Sequence, residues 1–112
     1  MANIINTGSN CEWKLAGKAT GSTEIALPDS WTELKAFVKC YYSGYGETFV
    51  FSEMMTKEVF ENTDTSLVWM CGYNNGYSAI VPNSDRTSLH LRNAEIAKVD
   101  VTSSATTWIY YR

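Results

Sequence analysis

Imidazole is almost missing from this sequence: His90 is its single histidine. Ser–His or Cys–His catalysis would have to be built on that one side chain. It stands in "SLHLR", between leucines that point to the other face of a strand, so it reads as an exposed strand residue. No catalytic residue is assigned. Cysteine is sparse too, with Cys11, Cys40 and Cys71 about thirty residues apart. Structural zinc takes clustered thiolates or imidazoles, and calcium takes several carboxylates where "NTDT" has one. No metal ligand is expected. A P-loop and a dinucleotide-binding glycine pattern are both absent, so no cofactor is expected either.

Positive charge is thinly spread. Nine Lys and Arg residues, never three in a row, face twelve Asp and Glu for a net charge of −3. A nucleic-acid partner calls for a concentrated basic footprint, and none is expected. No apolar run nears the length that spans a bilayer, which leaves no expectation of membrane insertion. The opening "MANIINTGSN" has neither a basic segment nor an apolar stretch and does not read as a signal peptide. With an odd, widely spaced cysteine set and no glycosylation sequon, the chain fits synthesis in a reducing compartment. Its thiols are then expected to be buried and unpaired.

Rings are what the chain has in quantity: 4 Trp, 7 Tyr and 4 Phe in 112 residues. That length holds one core, and large rings supply much of the apolar area a small core buries. Residues 1–10 are polar and turn-rich and read as a lead-in or junction; 11–112 form a single β domain. "EWKLAGKATG" alternates Trp13 and Leu15 against Glu12 and Lys14, and "STEIALPDS" alternates Ile25 and Leu27 before a Pro-Asp turn. "WTELKAFVKCYY" is ambiguous. Ser30-x-x-Glu33 is a helix capping box, yet Leu34, Ala36, Val38, Cys40 and Tyr42 alternate with lysine-bearing positions. The strand is preferred, because a hairpin through "YYSGYGE" then explains both flanks.

"SEMMTKEVFENTDT" is a second helix candidate, with Met54, Met55, Glu58 and Val59 on a shared face. "SLVWMCGY" and "YSAIV" read as strands joined at "NNG". Leu89/Leu91, Val99/Val101 and Trp108/Tyr110 are the alternating apolar positions of the last strands. Strands separated by regular turn signals predict an all-β antiparallel sandwich or jelly roll.

The ligand-binding candidates are the two aromatic hairpin ends: Tyr41, Tyr42, Ser43 and Tyr45 in one, Tyr73, Asn74, Asn75 and Tyr77 in the other. Tyrosine gives rigid amphipathic contact area, and a sugar's C–H face packs on a ring while amides and hydroxyls meet its hydroxyls. An equal alternative is that these rings cover core edges or an oligomer contact.

The segments "CEWKLAGKATGSTEIALPDSWTELKAFV" and "VDVTSSATTWIYYR" resemble the ends of small C-terminal domains from tail-fibre and receptor-binding proteins of bacteriophages and prophages of Gram-positive hosts. The shared pattern is a Trp-Lys-Leu strand, a Gly-Ser/Thr turn, an "I-x-L-P" strand, a "W-x-E-L" entry and a last aromatic strand ending Tyr-Arg. The resemblance implies a β tip domain, frequently a homotrimer, that adheres to a bacterial cell-surface glycan or protein without catalysis. It also implies synthesis in the host cytoplasm and a place in the virion tail. A structural tail or capsid-decoration protein is the alternative, and a glycan-cleaving enzyme stands third.

Overall fold

The computed structural model describes residues 12–63, 66–73 and 75–112. The expected lead-in, Cys11, and Asp64–Thr65 of the "NTDT" turn lie outside them. Among the described residues nine strands carry the fold: β1 Lys14–Thr20, β2 Ile25–Ala26, β3 Glu33–Tyr42, β4 Glu47–Thr56, β5 Trp69–Tyr73, β6 Gly76–Pro82, β7 Ser88–Ile96, β8 Val99–Asp100 and β9 Thr106–Tyr111. A single-turn segment, α1, spans Lys57–Asn62, and a 3-10 turn covers Thr102–Ser104.

Every pairing is antiparallel, and the strands form two sheets packed together. Sheet one has the order β1-β9-β3-β4. Sheet two has the order β2-β7-β6-β5, with β8 joining β7 at the opposite end from β2. This is the expected all-β sandwich.

The ambiguous segment is extended. Leu34, Ala36, Val38 and Cys40 of β3 are fully buried, and the intervening side chains face outward. The capping box fails because strand pairing offers its amides a better partner. Thr32 N and Glu33 N donate to Arg112 O at 2.7 and 3.0 Å, satisfying groups that a helix's first turn would leave open.

The second helix candidate divides. Ser52–Thr56 continues β4, and α1 begins at Lys57, where Thr56 Oγ1 accepts from Val59 N at 3.3 Å. No Met54–Val59 face forms: Met54 and Val59 are exposed, Met55 leans on the core, and Phe60 is the buried residue of α1.

Two strands turn the other way from expectation. Leu15 is exposed while Ala19 is buried, and in β9 it is Thr107 and Ile109 that enter the core, leaving Trp108 and Tyr110 outside. Ile109 lies opposite Ala36 on one side and Gly17 on the other. There the sheets are too close for a larger group: a Cβ on Gly17 would stand 2.7 Å from Ile25 Cγ2. An indole has no room on that side. Val99 is likewise exposed, with Val101 buried.

Cys40 and Cys71 are buried free thiols, and burial pushes both up to about 11.

Strand direction gives the molecule two ends. Lys14, Glu33, Tyr111 and α1 lie at one, here called proximal; Thr20, Thr106 and the β3–β4 turn lie at the other, distal end.

Candidate functional site

At the distal end, β3 and β4 pair as far as Tyr42 and Glu47. The turn between them is closed by Tyr45 N to Tyr42 O at 3.3 Å and Gly46 N to Ser43 O at 3.2 Å. Gly46 takes φ +63, a conformation glycine adopts at little steric cost. Gly44 lies so close to the Tyr42 ring that a Cβ there would be 2.3 Å from ring carbon Cζ.

This packing folds Tyr45 back. Its ring meets Tyr42 edge-on at 4.8 Å and 87°, and Phe49 at 6.4 Å. Phe49 stacks on Phe51 at 6.5 Å and 23°, and Phe51 is buried. Four rings therefore run in contact from the exposed tip into the core. Edge-on and offset contacts of this kind hold rings without covering them fully.

The second hairpin stops short of the first. A Cβ on Gly76 would lie 3.1 Å from the Phe51 ring, so β6 begins at the level of Phe51. From Phe51 the β4 strand runs four more residues to Glu47, roughly 13 Å at strand rise. Beside it, the β7–β8 turn takes positive φ at Ala97 and Lys98, and Ala97 N donates to Asn75 O at 2.8 Å. The result is a step. Tyr42, Tyr45 and Phe49 line its wall, and the turns at Asn75 and Ala97–Lys98 make its ledge.

The eight residues expected from sequence separate accordingly. Tyr42, Ser43 and Tyr45 belong to the wall, and the exposed Asn75 to the ledge. Tyr41 points away on the outer face of sheet one, 55% exposed. Tyr77 lies on the outer face of sheet two, where its hydroxyl accepts from Asn93 Nδ2 at 2.9 Å. Tyr73 ends β5, and Asn74 lies outside the described residues. Phe49 and Lys98 were not singled out. Phe49 could have been found from its place two residues before Phe51; the position of Lys98 depends on a turn with no glycine to announce it.

Chemically, the wall carries ring faces with Ser43 and Glu47 in the same hairpin, and the ledge carries Asn75 and Lys98. That set suits hydroxyl-rich or peptide ligands. A concavity of about 540 Å³ is at the proximal end under α1 and is lined by Trp31, Lys57, Phe60 and Arg86 among others. Its two cations hold the end together. Lys57 Nζ lies 5.1 Å over Trp31 and donates to Asp29 O at 3.3 Å, and Arg86 packs on the Phe60 ring while donating to Phe60 O. Trp31 meets Phe60 edge-on at 5.2 Å beneath them. Among the described residues no three His, Cys, Asp or Glu side chains gather to hold a metal ion. No helix of the described residues is long and apolar enough to cross a membrane.

No family model matches the chain, and neither a curated protein nor a solved structure does.

Proposed function

We propose that the domain is a host-surface adhesion module of the phage tail-fibre type, holding a bacterial cell-surface glycan or protein at the distal step without catalysis. The observation that carries this reading is the polarity of the molecule. Glu12, where residues 1–11 join, and Arg112 are both at the proximal end, while the β3–β4, β5–β6 and β7–β8 turns share the distal end. A body attached through residues 1–11 would present those turns outward. Loops raised on a rigid scaffold are where variable binding is carried. The half-exposed Tyr45 leads them.

Removal of the Tyr45 ring tests the reading. Tyr45→Ala should lower binding of the labelled protein to host cells several-fold and leave the melting temperature nearly unchanged, because among the described aromatics the ring touches Tyr42 and Phe49 alone. Tyr77→Ala, on the other face, should leave cell binding intact. Equal binding by the Tyr45 variant and wild type would sink the distal site. The alternative, a structural tail or decoration protein, expects no binding of the isolated domain to cells at all.

A further inference from the structure

Among the described residues, no element covers the outer face of sheet one, and its chemistry differs from that of the step. Pleat and register put Lys18, Lys35, Phe37, Lys39, Trp108 and Tyr110 on it. The cations lie on the rings. Lys18 Nζ is 5.5 Å and Lys39 Nζ 5.8 Å from the Trp108 centroid, and Lys35 Nζ is 4.6 Å from Trp13 and 5.9 Å from Phe37. Two ammonium groups thus share one indole. Neither has a carboxylate at ion-pair distance: the one salt bridge among the described residues is Arg112–Glu33, at the proximal rim. From Leu15 to Thr20, Lys35 to Tyr41, Thr48 to Met54 and Thr106 to Tyr110, every outward position is free of Asp and Glu. In a chain of net charge −3 this is a segregated positive field.

We infer that this face binds an acidic polysaccharide, whose carboxylate or phosphate groups meet Lys18, Lys35 and Lys39 while its sugar rings lie along Trp108 and Trp13. That the occupant is a glycan rests on the adhesion reading; the face itself does not. A second copy meeting this face with its own would oppose lysine to lysine. Single-stranded nucleic acid is a poorer match on two grounds. Lys35 and Lys39 are roughly 13 Å apart along β3, sparser than a charge on every nucleotide. The ring faces already lie under ammonium groups, whereas base stacking uses open aromatic platforms.

Tryptophan fluorescence of the full chain, titrated with polygalacturonate, phosphorylated dextran, neutral dextran and oligothymidylate, tests the assignment. One or both acidic polymers should bind, more weakly as salt rises, and neutral dextran should not. The Lys18→Gln/Lys39→Gln variant should bind about tenfold more weakly with its thermal melt unchanged. Tyr45→Ala should bind these polymers as wild type does. Loss of host-cell binding by Tyr45→Ala with the polymer titration intact would leave both sites standing. A lysine-dependent titration without any Tyr45 effect on cells would remove the distal step alone. The inference is overturned if neither acidic polymer binds, if the double variant binds unchanged, if oligothymidylate binds more tightly than both, or if the double variant alters sedimentation instead.

Discussion

Cys40 and Cys71 show what burial does to a single side chain. Both thiols are free, both are sealed in the core, and desolvation raises both from the ordinary 9.0 to about 11. The sign of the pH effect follows. A thiol whose pKa is raised by folding stabilises fully below the unfolded value and loses that contribution as pH climbs through the folded value. Stability should therefore fall between pH 9 and 11, and a Cys40→Ala/Cys71→Ala variant should show a flatter decline over that range in urea titrations. Thr107 is the converse case: its hydroxyl is buried with no hydrogen-bond partner among the described residues. Thr107→Val keeps the shape and removes the unsatisfied group, so it should stabilise by about 1 kcal/mol and raise the melting temperature.

At the scale of elements, β9 is the strand on which the sandwich depends. It lies between β1 and β3, and its two faces do different work. Ile109 is wholly buried, and its cross-strand partners Ala36 and Gly17 are too small to close the space it would leave. Ile109→Ala should cost about 2–5 kcal/mol in chemical denaturation. Trp108 faces outward among lysines. Trp108→Ala should lose only the cross-strand and cation–ring contacts, about 1 kcal/mol. A reversed order of the two losses would mean the faces of β9 are assigned the wrong way round. The β3–β4 ribbon illustrates a second element-level point: its length beyond the second hairpin, more than any one tyrosine, creates the step.

For the whole molecule, the open edge of sheet one poses the question of assembly. β4 ends that sheet among the described residues, and beside its edge stand Tyr41, Val50 and Met54, exposed by 55, 56 and 45%. Edge strands with apolar neighbours are normally covered. We propose that copies meet along β4 as a closed homotrimer, leaving the lysine–indole half of the face free. Sedimentation at tens of micromolar should give a trimer, and Val50→Asp/Met54→Asp should give a folded monomer. A trimer would also supply the avidity that weak ring–sugar contacts lack singly. A wild-type monomer under those conditions would remove both ideas.

Local pattern by itself determined that the chain is made of antiparallel strands. Alternation in "ELKAFVKCYY", glycine-bearing turns and β-rich flanks all act between near neighbours, and steric preferences at that range are written residue by residue. It also marked both hairpins that reach the distal end. Only the tertiary structure decided which faces of β1 and β9 are inside. Period-two alternation in "TTWIYY" offers Trp108 and Tyr110 or Thr107 and Ile109 equally well, and the choice fell to Ala36 and Gly17 on neighbouring strands, distant in sequence. The same holds for the capping box, undone by Arg112 eighty residues from Thr32. It holds as well for the candidate site, where Tyr41 and Tyr77 part from Tyr42 and Tyr45 because a pleated strand sends successive side chains to opposite faces, and the packing of two sheets settles which of those faces looks onto the step.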